Sequence, residues 1–288
     1  MTDAVIKSRS SWRHLFKRER TYNVFALAVT LLFLFPLFWM FMASIKTEGE
    51  IFKFPARLFP LEPTLDNYVS IFTGNYHVLR SFINSFEIAI LSMAISLLLS
   101  VPTAYSFARY GLRGKKGFLL IFLVSQMLPP TLTLTPLFIM FSYMRLTNHL
   151  LSPILACVST SIPFTVLTLR TYFLSIPAEI EEAARIDGCT AATGFLRIIV
   201  PISYPGIIVS AAFSFVFGWN NLIYSLTFIS DFNLWPATAG MFNFMNEYGL
   251  KWNLVMTYGT VLVLPVVAMF VFLQKYMVSG LTGGAVKG

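Results

Sequence analysis

The stretch Phe82-Ile-Asn-Ser-Phe-Glu-Ile-Ala-Ile-Leu-Ser-Met-Ala-Ile-Ser-Leu-Leu-Leu-Ser-Val-Pro-Thr-Ala-Tyr-Ser-Phe-Ala108 decides the fold class. Its only charge is Glu87. A helix of about 20 apolar residues crosses the roughly 30 Å hydrocarbon core of a bilayer. This run is long enough to do so. Five more runs qualify: Asn23 to Ser44, Gly117 to Tyr143, Leu150 to Leu174, Ile202 to Phe228 and Asn253 to Gln274. Together they predict an all-α membrane protein with six transmembrane helices. Pro129, Pro130 and Pro136 interrupt the Gly117 run. Its first half is too short to span, so it reads as one kinked helix. Pro265 is expected to kink the last helix in the same way.

Composition agrees. Of 288 residues, 56% are hydrophobic and only 12% charged, where an ordinary soluble domain carries about 25% charged residues. Cys157 and Cys189 are too few for a disulfide framework and have no metal-ligand spacing. His14, His77 and His149 show no partner spacing either, so no metal site is expected. The first apolar run starts only at Asn23 and lacks a small-residue cleavage site, so it reads as a retained span and not a signal peptide.

The net charge of +8 becomes informative once it is located. Lys7, Arg9, Arg13, Lys17, Arg18 and Arg20 precede the first run, and Arg109, Arg113, Lys115 and Lys116 follow the second. Arg170, Arg185 and Arg197 flank the fourth loop, and Lys275 and Lys287 lie in the tail. These fifteen face the side opposite to Lys46, Lys53, Arg57, Arg80, Arg145 and Lys251. Basic residues collect on the cytoplasmic side, so both termini are expected there. The basic arm serves topology and attraction to anionic membrane lipid, and no nucleic-acid partner is expected. The chain then divides into a basic arm (1–22), a first span (23–44), an external loop (45–81), a five-helix core (82–274) with a cytoplasmic loop at 175–201, and a cytoplasmic tail (275–288).

That cytoplasmic loop reads Ser175-Ile-Pro-Ala-Glu-Ile-Glu-Glu-Ala-Ala-Arg-Ile-Asp-Gly188, then Cys-Thr-Ala-Ala-Thr-Gly-Phe-Leu-Arg-Ile-Ile-Val-Pro201. Ser175 is a candidate cap and Pro177 suits a first turn. Glu179, Glu181 and Glu182 fall at the positive end of the helix dipole. Gly188 ends the helix, being free to take a positive φ. A second helical piece is expected over Ala191 to Val200. Small Ala183 and Ala184 let another surface approach the backbone.

The sequence resembles a known family here. Glu182-Ala183-Ala184, Gly188, Ile198 and Val200-Pro201 match the motif E-A-A-x3-G-x9-I-x-L-P of permease subunits of bacterial ABC importers, with Val200 for Leu as the one departure. The tail from Gln274 to Gly288 resembles carbohydrate permeases of the maltose-transporter MalG type. So do Pro63-Thr-Leu-Asp-Asn67-Tyr68, Asn84-Ser85, the stretch from Met127-Leu-Pro129 to Pro136-Leu137, and Trp219-Asn220. The likeness covers roughly residues 25 to 288.

The resemblance implies a type I ABC importer permease fold in the bacterial inner membrane. It implies that Glu182, Ala183, Ala184, Asp187 and Gly188 form a coupling helix that docks into a cytoplasmic ATPase. Gly280, Gly283 and Lys287 of the tail are implied to reach toward the same ATPase. The implied partners are a second, MalF-like permease subunit, two ATP-binding subunits and an external sugar-binding protein. The segment from Trp235 to Lys251 is where that last partner is expected to touch. No G-x-x-x-x-G-K-S/T loop exists in this chain, so ATP and Mg belong to the partner and no cofactor or catalytic residue is expected here.

Polar residues inside the spans are candidates for the translocation path. Glu87 is either a carboxylate near the outer interface, solvated or paired with Arg80, or a group facing cargo. Asn220 and Asn221 are about 100° apart on a helix, so at most one faces a pore squarely. Trp219 joins them as an aromatic surface for sugar rings. A secondary transporter would show inverted repeats and ionisable residues near the midplane, and a membrane enzyme would show convergent catalytic groups. Neither pattern is visible. The resemblance implies a carbohydrate cargo, an oligosaccharide first, with a polyol, glycerol phosphate or acidic oligosaccharide as alternatives.

Overall fold

Every apolar run becomes helix in the computed structural model, which describes the backbone of residues 2–246 and 249–282 and the side chains of residues 21–244 and 249–276. The helices used below are α1 (Thr2–Ser44), α2 (Asp66–Thr73), α3 (Val78–Arg109), α4 (Lys115–Met127), α5 (Pro130–Tyr143), α6 (Leu151–Ser175), α7 (Glu179–Ile186), α8 (Tyr204–Trp219), α9 (Ile223–Phe228) and α10 (Trp252–Thr282). Among the described residues, four helices are long and apolar enough to cross a membrane, and the number rises to six if two bent helix pairs each count as one span. The chain divides into two units, one of residues 1–71 and 247–260, the other of residues 72–246 and 261–288.

In the first unit α1 is apolar around its circumference from Asn23 onward, with Phe25, Leu32 and Phe33 all well exposed, as a helix solvated by lipid should be. Its last turn leaves carbonyls without intrahelical partners. Asn67 of α2 supplies them: its Nδ2 donates to the carbonyls of Ser44 and Lys46, both at 2.8 Å. Its Oδ1 accepts from Asn253 Nδ2 at 2.9 Å, and Thr257 Oγ1 donates to the Ser44 carbonyl at 3.0 Å. A buried amide has to find partners for both ends. The Pro63 to Tyr68 stretch therefore has a structural task, which is to close the end of α1.

The second unit is organised around α3, which packs against α6 and α8. The contacts use small residues and hydroxyls, because lipid offers no hydrophobic drive for helices to associate. Ser161 Oγ donates to Ser96 Oγ at 2.9 Å, and Thr165 and Ser214 hydroxyls lie 3.1 Å apart. At Gly218 the helices are so close that a Cβ would sit 2.7 Å from the Ala89 Cα.

Two spans differ from expectation. The Gly117 run is not one kinked helix: α4 and α5 meet at 102°. Leu128, forced out of helical geometry by the proline after it, has ψ 126°, and Pro129 has ψ 139°. Two successive extended residues turn the chain, whereas Pro136 stays inside α5. The Ile202 run starts about where expected, at a 76° bend between residues 191–202 and α8, but α8 ends at Trp219, short of the expected Phe228. Pro205 lies in the first turn of α8, and Ser203 Oγ donates back to the Ile199 carbonyl at 2.7 Å. Pro265 lies inside α10, which runs unbroken.

Gly218→Ala should cost about 1–3 kcal/mol through overpacking against the α3 backbone. The thermal midpoint of the purified protein in detergent should fall accordingly. Gly111→Ala, where nothing lies within 4 Å, should leave it unchanged.

Candidate functional site

The loop that carries the motif folds as helix α7 with a different start from the one expected. Ser175 does not cap it: its Oγ donates to the Tyr172 carbonyl at the end of α6, 2.7 Å away. Ile176 is extended ahead of Pro177, and Ala178 precedes the first helical residue without a side-chain cap. The three first-turn acids Glu179, Glu181 and Glu182 stand at the positive end of the dipole instead. The other end is as expected. Gly188 has φ +87°. Its N–H donates to the Arg185 carbonyl at 3.1 Å, and the Cys189 N–H reaches back to Ala184 at 2.9 Å. This is the paired closure that a left-handed residue after a helix permits.

Adjacent Glu181 and Glu182 point different ways. Glu181 faces inward: Arg109 Nε donates to its Oε1 at 2.5 Å and the Tyr105 hydroxyl to its Oε2 at 2.9 Å. Arg109 also donates through Nη2 to the Ile176 carbonyl at 2.8 Å. The ion pair is largely enclosed, its side chains 13% and 12% exposed. A planar guanidinium with two directed contacts holds the entry to α7 and its inner face at once. Ala184 is also inward, only 5% exposed, beside Tyr105, Cys189 and Phe195. The outward face carries Glu182, Ala183, Asp187 and Gly188, all exposed, with Ile186 at 86%. The two alanines of the motif thus do different things: Ala183 is open to a partner, and Ala184 seats the helix on its own chain.

After Gly188 the expected second helical piece is present but wound unevenly. Thr190 Oγ1 caps it by accepting from the Thr193 N–H at 3.2 Å. Residues Ala191–Gly194 are α-helical, and Phe195–Ile199 form a π turn ahead of the bend at Ser203. Such turns insert an extra residue and often mark functional hinges.

The translocation-path residues are spread apart. Glu87 is exposed on α3, and among the described residues no ion pair joins it to Arg80. Trp219 is 1% exposed, with Phe86 at 4.9 Å and Phe215 stacked at 5.8 Å between ring centroids. Its rings are occupied by its own chain. Asn221 is buried and donates to Ser225 Oγ at 3.0 Å, so Asn220 is the exposed member of the pair. An apolar hollow of about 690 Å³ lies between α3, α8 and residues 264–273 of α10, lined by Phe86, Phe215, Leu264 and other apolar side chains. Its lining offers a sugar no hydrogen bond. Of the tail residues, Gly280 lies in α10, and Gly283 and Lys287 lie outside the described residues.

The other end of α3 makes contacts that the resemblance of Asn84-Ser85 to family members does not describe. Asn84 Nδ2 donates to the carbonyls of Asn233 and Trp235 at 2.9 and 3.1 Å, and Ser85 Oγ accepts from the Ala237 N–H at 2.8 Å. Asn148 holds the same segment from the other flank, accepting at Oδ1 from Ser230 and Asp231 N–H groups. The sequence singles out Asn84-Ser85 only as a family-like pair, and nothing in its spacing points to residues 230–237 as its partner.

Residues 96–283 match the family described as the binding-protein-dependent transport system inner membrane component. The chain belongs to that family. It is a multi-pass permease component of the bacterial inner membrane. The chain is 33% identical over 282 residues to the probable ABC transporter permease protein YurM of Bacillus subtilis, covering 98% of this chain and 92% of that one. It is 34% identical to the sulfoquinovosyl glycerol transport system permease protein SmoH of Agrobacterium fabrum, covering 88% and 89%. A chain of a bacterial ABC transporter that imports the acidic polysaccharide alginate superposes with a TM-score of 0.76 at 19% identity, covering 90% of this chain and 96% of that one.

The two alanines make opposite predictions. Ala184→Leu should overpack the seat of α7 and lower the thermal midpoint of the isolated protein, at a cost of about 1–3 kcal/mol. Ala183→Leu should leave that midpoint unchanged and show its effect only when the partner subunits are present.

Proposed function

We propose that this chain is one permease subunit of an ATP-driven importer for a carbohydrate and couples ATP hydrolysis by a partner ATPase to alternating access. One observation carries the reading: α7 presents an exposed acidic and apolar face while its inner face is fastened to the end of α3 by the Glu181–Arg109 pair. A helix held on one side and open on the other is suited to receive a push from a second protein. Glu182, Ala183, Asp187 and Gly188 form the docking face, with Ile186 supplying apolar contact. The excess of basic residues around this end supports a cytoplasmic position for it and for both termini.

The mechanism is a two-state switch. Closing of the ATPase pair around ATP favours one position of α7 over the other, and the spans follow from inward-open to outward-open. This chain contributes no catalytic group and binds neither ATP nor Mg; two ATP-binding subunits supply them. A second permease subunit completes the path, and an external binding protein delivers the solute. The carbohydrate class rests on the likeness to the sulfoquinovosyl glycerol permease together with the MalG-like tail. The external loops carry six basic residues against Glu48, Glu50, Glu62, Asp66, Asp231 and Glu247, so their balance is neutral and gives an anionic sugar no electrostatic funnel. Asn220 and Glu87 are the exposed polar groups of this chain best placed to meet cargo.

Gly188→Asp tests the docking face. A side chain at φ +87° costs about 1–2 kcal/mol, and the added charge stands where α7 meets its partner. The variant should insert in the membrane in normal amount and lose solute-stimulated ATP hydrolysis in the reconstituted complex. Full stimulation and transport would overturn the assignment. In the same assay, a panel of neutral and acidic sugars, a polyol, an amino acid and a peptide, each with the cognate binding protein, should show stimulated hydrolysis only for carbohydrate. Stimulation by an amino acid or a peptide alone would exclude that cargo class.

A further inference from the structure

Helix α3 is fastened at both of its ends, and the two fastenings serve different surfaces. At the Arg109 end the guanidinium bridges Glu181 of α7 and the Ile176 carbonyl, with the Tyr105 hydroxyl on the second carboxylate oxygen. At the Val78 end Asn84 and Ser85 hold the backbone of residues 233–237 through three hydrogen bonds. Between the ends α3 is the helix against which both α6 and α8 are packed. No other helix in the second unit joins α7 to the 233–237 segment through side-chain hydrogen bonds among the described residues.

The covalent route out of α7 is much softer. It passes through Gly188, the break at Thr190, the π turn at Phe195–Ile199 and the 76° bend at Ser203 before reaching α8. Each of these is a place where the chain yields to a load by changing φ and ψ. An enclosed, charge-assisted pair with a two-pronged guanidinium does not yield so readily. A displacement of α7 should therefore reach α3 before it reaches α8, although α8 is the next span in the sequence.

We propose that α3 is the strut that carries the stroke of α7 across the membrane to the 233–237 segment, with Arg109–Glu181 and Asn84 as its two clasps. This rests on the reading that α7 receives the ATPase. Arg109, Glu181 and Asn84 act as positioning residues: none of them lies on the exposed docking face of α7. The coupling is reciprocal, as any linkage between two sites must be. A partner that engages the outer segment biases the position of α7, and the ATPase bound at α7 biases the outer segment.

The test uses the full complex in proteoliposomes, with the cognate ATPase, second permease and binding protein. The variants are Arg109→Gln, Glu181→Gln, Asn84→Ala, the exchange Arg109→Glu with Glu181→Arg, and Asn84→Ala combined with Glu181→Gln. Each is measured for ATPase retained on purification and for stimulation of hydrolysis by the loaded binding protein. Every single variant should retain the ATPase and lose stimulation by about tenfold, as expected when one partner of an enclosed polar contact is removed. The charge exchange re-forms the ion pair but not the donation to the Ile176 carbonyl, so it should restore stimulation in part, which a general loss of structure would not allow. Because both clasps lie on one strut, the combined variant should be no worse than either single one.

Unchanged stimulation in the single variants would overturn the proposal. So would losses that multiply in the combined variant, which would show two independent effects. Loss of bound ATPase in Glu181→Gln would assign that residue to docking and overturn its role as a clasp. Failure of the unaltered complex to hold any ATPase would remove the docking reading itself, and the strut with it.

Discussion

Inside a bilayer no water is present to satisfy a polar group, and burying apolar surface gains nothing that lipid does not already offer. Helices in the second unit therefore meet where they can approach closely and exchange hydrogen bonds. Helix α3 pairs with α6 through Ser96 and Ser161, and Gly218 lets α8 come against Ala89. The same constraint governs the first unit, where Asn67 closes the last turn of α1 and is itself closed by Asn253. Nearly everything distinctive in this molecule is a solution to the placement of polar groups.

Those solutions concentrate at helix ends. The carboxylate of Glu181 would be costly so close to the ends of α3 and α6 without a partner, and Arg109 with Tyr105 supplies three contacts in all between the two helices and the start of α7. This frees the opposite face of α7 from any structural duty. Ala183, Ile186 and Asp187 remain open because the inner face alone is enough to hold the helix.

Much of this was legible in the residues. Long apolar runs predicted the spans, Gly188 predicted the end of α7, and the three first-turn acids marked its start. Other features were not legible. The pair Leu128-Pro129 looked like a kink, since the effect of two successive extended residues on direction cannot be summed from propensities. Ser175 looked like a cap, yet the end of α6 claimed its hydroxyl first. Trp219 looked available to sugar because its likeness to family members said nothing about the Phe86 and Phe215 rings that enclose it.

The sequence by itself determined that this chain lives in lipid, which runs become helix, and where α7 ends. Those properties depend on local composition and on spacing along one helix, which are present before folding. Only the tertiary structure decided which of two adjacent glutamates faces out, which of two adjacent alanines is covered, and where a span turns by 102°. The first two are set by residues distant in sequence, Arg109 and Tyr105 being brought to the inner face of α7, and the third by two successive extended residues whose joint effect on direction appears only in three dimensions. Helical periodicity places Glu181 and Glu182 on different faces, but the face that is inward is chosen by whatever stands opposite.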